Sequence, residues 1–473
     1  MNRRKKLINK VFENVEITGF AAEGKAIARI GEQVLFVRYG APGDLVDVQV
    51  KKVKRNFLEG NIVRIHRPSA QRTKPFCKHF GVCGGCKWQH LNYEEQLRCK
   101  YQQVIDSLQR IGKIDMSAVE VLPIAASEKT TFYRNKLEFT FSNRRWLTQE
   151  DIDSGEQIND PEGLGFHIPG FFDKVLDIEK CWLQADPSNE IRLKVKQFAV
   201  ENQLSFYDLR KHTGLLRNLI IRTTPSGETM VIVVFGADDP GPRSLLMDFI
   251  QTTFPQVSSL FFMVNTKKNS SIGDLEPVLF SGNPFIVEEM EGLKFQIGPK
   301  SFYQTNSWQA YRLYSIARDF AGLSGKENVY DLYTGTGTIA LFVAAKAGKV
   351  TGIEFIEEAV AHALHNATLN GIDNAQFYAG DMARVLTADF FKENGFPDVI
   401  ITDPPRAGMH PDVIRQLNES GAERIVYVSC NPATQARDVE MLSQSYQVTK
   451  VQAVDMFPHT QHVEGVILLE KKT

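Results

Sequence analysis

The sequence predicts a multidomain protein. A small OB-like β-barrel is expected first, then an α+β central domain with a cysteine-ligated cluster, then a doubly wound α/β domain. Three observations carry this. The chain has 473 residues, too many for one small core. Short β-like runs separated by glycine turns fill residues 10–68, whereas strand, glycine loop and helix units begin only near Asn328. Between these regions, three cysteines crowd into Cys77–Cys86. The expected boundaries are 1–70, 71–300 and 301–473.

Charge is unevenly spread. Residues 1–75 hold 16 Lys/Arg against 7 Asp/Glu, in a chain whose net charge is −1. A basic module on a slightly acidic body suits contact with nucleic acid or another polyanion. No run of ~20 apolar residues is present, so no transmembrane helix and no membrane partner are expected. The start, MNRRKKLINKVFENVEITGF, lacks the apolar core of a signal peptide. The clustered cysteines suit metal binding in a reducing compartment better than a disulfide framework. A cytoplasmic monomer is expected.

In the N-terminal module the runs VLFVRYG (34–40), DLVDVQVKKVKR (44–55) and EGNIVRIH (59–66) read as strands, with Ala41-Pro42-Gly43-Asp44 as a turn. Lys51, Lys52, Lys54 and Arg55 form a basic edge able to follow a phosphate backbone. The next stretch runs Cys77, Cys83-Gly84-Gly85-Cys86, Gln89-His90. Thiolates ligate zinc or iron–sulfur clusters, and both need four ligands. Spacing leaves the fourth open among Cys99, Cys181, His79 and His90. Trp88, beside this motif, is placed to stack on a base.

Residues 125–300 read as α+β. The stretches TFYRNKLEFTFSNRRW (131–146) and LRKHTGLLRNLIIRTT (209–224) interleave cations with aromatics, which suits phosphate contact and base stacking. Phe132, Tyr133 and Phe139 read as core residues, with stacking platforms as the alternative. From Asn328, VYDLYTGTGTIALFVAAKAGKVTGIEF gives strand, glycine turn, helix and strand. Gly335-x-Gly337-x-x-Ala340 fits a dinucleotide fingerprint, with NAD as its obvious ligand. The ensemble favours S-adenosylmethionine (SAM) instead. Asp331 precedes the first glycine, Glu354 ends the second strand where it can hold ribose hydroxyls, and Asp381 follows the third where an adenine amino group could be read. Asp403-Pro404-Pro405 closes the fourth.

Cys430 ends its strand beside Asn431-Pro432. A thiol next to a methyl-donor site has a specific use. C5 of a pyrimidine is a poor nucleophile until a thiolate adds at C6. Removal of the C5 proton afterwards needs a general base, plausibly a carboxylate, and the base must leave its stack to enter the pocket. Glu464 lies just before the strand GVILLEK, with His459 and His462 in the preceding turn.

These motifs resemble the SAM-dependent RNA uracil-C5 methyltransferases, and most closely the iron–sulfur 23S rRNA branch with a TRAM domain. The resemblance covers nearly the whole chain. It implies an RNA-binding TRAM barrel, a [4Fe-4S] cluster on Cys77, Cys83, Cys86 and Cys181, and a Rossmann-like SAM domain. SFYQTN brings in Gln304, DLYTGTGT brings in Tyr333, and GIEF and DPPRAG carry cofactor contact onto Glu354 and Asp403. VSCNP matches the nucleophile motif at Cys430, and FPHTQHVEGV the base motif at Glu464. The glycine loop carries Thr334 and Thr338 where many members carry Cys and Asn. Segment 92–125 is implied to pack on the catalytic domain. The implied activity is formation of 5-methyluridine in 23S rRNA. The alternatives are a tRNA target, or an RNA-binding factor with a vestigial SAM site.

Overall fold

A computed structural model describes residues 7–21, 23–155 and 161–472. The first six residues, part of the leader reading above, lie outside them. The N-terminal sheet has six strands, in the spatial order Val11–Glu16, Leu45–Val53, Phe57–Arg67, Gln33–Arg38, Ala26–Ile30 and Gly19–Phe20. Period-two alternation sets its core. Along Leu45–Val53, Val46, Val48 and Val50 point inward while Lys51 and Lys52 stay exposed. The predicted turn forms, with Gly43 at φ 91°. Asp44 closes it by accepting from the Ala41 and Ser69 amides and from Arg72. These contacts outweigh its burial and hold its carboxyl below the usual range.

The chain next passes through the cysteine segment into the helix Tyr93–Arg110, N-capped by Asn92. This helix packs against the helix Pro432–Leu442 and the strand Tyr446–Val454 of the C-terminal unit. The strand Glu120–Ala125 then pairs in parallel with Tyr446–Val454 and becomes one edge of the C-terminal sheet. Pro123 sits on that edge, where a missing amide costs no ladder bond.

The central sheet has seven strands. Thr229–Phe235 is buried along its whole length, as its unbroken apolar run requires. The helices Ser188–Glu201 and Pro240–Thr253 pack on each other through Phe198 and Phe249, whose rings stack at 4.0 Å. A hairpin, Ile286–Met290 and Leu293–Ile297, leads out of this domain. Its second strand is pinned to the helix Glu357–Leu369, where Asn366 and Asn370 accept from Gln296 and Lys294 amides.

The C-terminal sheet has eight strands. Its spatial order is Ala375–Ala379, Lys349–Glu354, Asn328–Leu332, Val399–Thr402, Arg424–Ser429, Glu464–Lys471, Tyr446–Val454 and Glu120–Ala125. The first five run parallel, and Glu464–Lys471 runs antiparallel to its neighbours. Strand order reverses between Asn328–Leu332 and Val399–Thr402, the switch point at which such sheets open a ligand crevice. Among the described residues, no helix is long and apolar enough to cross a membrane.

Candidate active site

One wall of the crevice is the loop after Asn328–Leu332. Tyr333, Gly335 and Gly337 have φ of 63°, 56° and 80°. Gly337 also meets a steric demand, because a Cβ there would lie 2.9 Å from Ala363 Cβ. The loop is held by two carboxylates. Asp331 Oδ2 accepts from the Thr334 hydroxyl (2.5 Å) and the Ala340 amide (3.0 Å). Glu354, from the neighbouring strand, accepts from the Gly335 amide (3.1 Å) and the Ile356 amide (3.0 Å). Asp331 Oδ1 is buried without a partner. Burial pushes the Asp331 carboxyl up to about 7, with Asp403 and Glu354 adding to the push. An orphaned acidic oxygen beside a glycine loop suits a cationic ligand group.

Asp381 follows the edge strand and caps the short helix Met382–Val385 through the Ala383 amide (3.1 Å). Its other oxygen is 3.9 Å from Arg384. Tyr333 lies in the field of both Asp381 and Glu354. Gln304 is buried at the seam between domains, its backbone carbonyl accepting from Asn135. Among the described residues, its side chain forms no hydrogen bond with another candidate site residue.

The other wall follows from strand direction. Val399–Thr402 ends at Asp403 and Arg424–Ser429 ends at Cys430, both at the carboxyl edge. The last strand runs the opposite way, so its first residue reaches the same edge. Ser429 pairs with Gly465, so Cys430 and Glu464, the residues adjoining that pair, reach the same edge, and the charge of Glu464 acts on the Cys430 thiol. Glu464 is buried, and Asp403 is partly so. Burial alone lifts Asp403 to about 7, and burial followed by the charge of Asp403 lifts Glu464 well above the usual carboxylate range. The Cys430 thiol is pushed up to about 11 by burial, then by Glu464 and Asp403, against the opposing Arg406. Burial raises the Tyr314 phenol well above its ordinary value, and the charges of Asp403, Asp331 and Glu464 add to the rise.

A second cluster lies in the central domain. Cys77, Cys83, Cys86 and Cys181 line one cavity of about 410 Å³ together with His79, Arg134 and Trp182. The Gly85 amide donates to Cys83 Sγ (3.4 Å). Burial and mutual repulsion push Cys83 and Cys86 up to about 12. Among the described residues, no three His, Cys, Asp or Glu side chains converge closely enough to hold one metal ion. Cys99 faces a different groove and donates to Glu95 (3.4 Å). His90 packs against the Gly40 carbonyl (3.1 Å).

Comparison with known proteins accords with this geometry. The family description tRNA (Uracil-5-)-methyltransferase matches residues 287–472, and the TRAM domain matches residues 9–63. An uncharacterized RNA methyltransferase of Porphyromonas gingivalis is 57% identical, over 97% of this chain and 100% of its own. A second, from Chlorobaculum tepidum, is 39% identical over 96% of this chain and 95% of its own. The chain belongs to the SAM-dependent RNA uracil-C5 methyltransferase family. Among solved structures, the Pyrococcus abyssi tRNA (uracil-54, C5)-methyltransferase, in complex with S-adenosyl-L-homocysteine, is 29% identical with a TM-score of 0.74. The match covers 97% of this chain and 100% of that one.

Two sequence expectations for the methyltransferase fail. Trp88 cannot stack on a base, because it is 1% exposed and its indole N–H donates to the Gly24 carbonyl of the TRAM domain. Phe132 is not core: it is 38% exposed at φ 53°. Tyr133 and Phe139 are buried as expected. Sequence reasoning also missed two site residues. Arg406, quoted only as part of its motif, faces the Cys430 thiol and lies near His462 and Glu464. Its place directly after Asp-Pro-Pro was the available signal. Tyr314 sits in an ordinary amphipathic helix, Ser307–Ala321, and carries no such signal.

Proposed function

We propose that this methyltransferase forms 5-methyluridine in 23S rRNA through a covalent bond between Cys430 and C6 of the target uracil. The observation that carries the reading is the antiparallel last strand. It brings a buried carboxylate, Glu464, to the sheet edge that carries Cys430, within the field of Asp403, with the glycine loop on the strand beyond Asp403's. When bound, SAM supplies an electrophilic methyl group. Glu354 and Tyr333 would hold it, with the free oxygen of Asp331 toward its cationic end and Gln304, Asp381 and Asp403 completing the wall.

The residues divide the work as follows. Cys430 must lose its proton, and Arg406 favours the thiolate against the nearby carboxylates. The thiolate adds to C6, and the C5–C6 electron pair becomes available at C5 for bond formation with the methyl group. Glu464 then takes the C5 proton. That electron pair restores the C5–C6 double bond and expels the Cys430 thiolate. A carboxyl with a raised pKa is a stronger base once ionised, which suits this last step.

Four thiols line one cavity, the number of ligands that a [4Fe-4S] cluster takes. Cys77, Cys83, Cys86 and Cys181 would hold it, in a structural or RNA-positioning role. Methyl transfer moves no net electron. A second target, tRNA, is favoured by the match to the P. abyssi enzyme, which spans all three parts of the chain. Because that match includes the TRAM barrel, the barrel does not separate the two targets. Mass mapping of 5-methyluridine in rRNA and tRNA, from cells with and without the gene, decides. Loss of the modified base from 23S rRNA is expected. Loss from tRNA alone would move the assignment, and loss from neither would reject uridine methylation.

A further inference from the structure

A line of aromatic rings runs between the cysteine cavity and the catalytic loop. Phe132 contacts Trp182 (centroids 5.6 Å apart), Trp182 contacts Phe76 (5.7 Å), and Phe76 contacts His459 (5.0 Å). Trp182 follows Cys181, Phe76 precedes Cys77, and His459 lies five residues before Glu464. Phe132 and Phe76 are 38% and 40% exposed. Both ends of the line are left-handed, with φ of 53° at Phe132 and 65° at His459. A bulky aromatic at positive φ is strained, and glycine would adopt that backbone freely. The fold instead keeps a large ring there, pointing partly into solvent, with the Phe132 amide bonded to the Trp182 carbonyl (2.8 Å). Strain held around an exposed side chain marks a functional position.

The surroundings name the partner. The Lys180 ammonium sits 4.0 Å from the centre of the Trp182 ring, and Lys74, two residues before Phe76, is exposed. Rings flanked by cations suit a nucleobase with its phosphates better than an apolar protein surface. We propose that Phe132, Trp182 and Phe76 form a stacking platform for an unpaired base of the substrate RNA, separate from the uracil that enters the active site. Through His459, the platform is continuous with the loop that leads to Glu464. The uracil-C5 reading supplies only the identity of the RNA; the platform itself needs only an unpaired base.

The test is Phe132→Gly in the full-length protein, which removes the ring and relieves the backbone. Affinity is read by fluorescence anisotropy with a labelled 12-nucleotide oligoadenylate and with a 12-base-pair RNA duplex. Loss of one stacked base weakens single-strand binding about 5- to 150-fold. Duplex affinity should hold, and the melting temperature should not fall. Phe132→Tyr should restore single-strand binding. With methylatable RNA, KM should rise while kcat stays. Unchanged oligoadenylate affinity in Phe132→Gly overturns the proposal. So does unchanged affinity with faster loss of visible absorbance, which would make the rings a cover for the cysteine cavity. Weakened single-strand binding by a protein that methylates no uridine would keep the platform and reject the uracil-C5 reading.

Discussion

Replacing Glu464 with glutamine separates the steps of the reaction. The substitution keeps the volume of a fully buried side chain and removes its charge and its proton affinity, so the packing of the last strand is kept. Two consequences follow at Cys430. The wild-type thiol, at about 11, is ionised in roughly one molecule in ten thousand at pH 7. Glu464 is the largest charge contribution to that value, after burial. Its removal lowers the thiol pKa, so alkylation of Cys430 in the alkaline range should accelerate. Methyl transfer should therefore survive in a single turnover. Release should not, because nothing removes the C5 proton. Loss of a general base slows such a step about 10²- to 10⁴-fold, and a protein–RNA adduct should accumulate. The assay is denaturing electrophoresis of enzyme with labelled RNA and SAM, beside a time course of free methylated RNA. Multiple turnover at the wild-type rate with no adduct would refute the base assignment. An adduct that persists in Cys430→Ala/Glu464→Gln would refute the nucleophile.

Other outcomes can be checked separately. Asp331 and Asp403 are both raised to about 7 from an ordinary value near 4, so the folded protein binds extra protons between those limits. Their contribution to stability is therefore full below about pH 4 and declines as pH rises through about 7. Binding of cationic SAM favours the ionised carboxyls, so its affinity should rise between pH 5 and 7, with proton release visible by calorimetry in buffers of different ionisation enthalpy. A flat profile would count against both placements. Lys100 and Asp455 form an ion pair at 2.5 Å with both side chains wholly buried. Lys100→Met should cost about 3–5 kcal/mol by leaving the carboxylate uncompensated, read by denaturant unfolding and by hydrogen exchange across residues 455–463. Cys181→Ser should remove visible absorbance that bleaches on reduction, whereas Cys99→Ser should leave it intact.

Much of the catalytic edge was legible because strand ends announce themselves. Asp403 and Cys430 each follow a short apolar run, and a parallel sheet brings such ends together whatever the intervening helices do. The rest depended on long-range geometry. Glu464 precedes its strand, so its meeting with Cys430 rests on that strand being antiparallel, which no local pattern states. Glu120–Ala125 joins a sheet whose other strands begin some 200 residues later, and its own alternation names no partner. Three clustered cysteines are visible in any reading; spacing leaves Cys99 and Cys181 both open as the fourth, the family resemblance implies Cys181, and it is Cys181 that lines the cavity with the other three. Trp88 and Phe132 show the same limit for aromatics. Composition cannot tell a buried ring from an exposed one when both lie in polar, irregular segments.

The loop before Glu464 explains why a methyl-transfer reaction draws on nearly the whole chain. From Asp455 to His459, each residue is held from elsewhere. Tyr93 and Lys100 bind Asp455, and Asn306 binds the Met456 carbonyl. Lys100 also donates to the Phe457 carbonyl, and Tyr133 to that of Pro458. The Gln96 side chain accepts from the His459 amide, while the Lys87 and Trp88 amides donate to the His459 carbonyl. The TRAM domain closes over this turn so tightly that a Cβ on Gly24 would lie 2.8 Å from Gln461. These contacts come from the barrel, the cysteine segment, the crossing helix and the central domain. A base at the start of a strand has only its own strand to fix it on one side, and the turn before it must be fixed by packing. The parts that would grip RNA are therefore the parts that set the position of Glu464. RNA that engages them in the wrong register would meet Cys430 without a correctly placed base, and specificity would then appear in release of product as well as in binding.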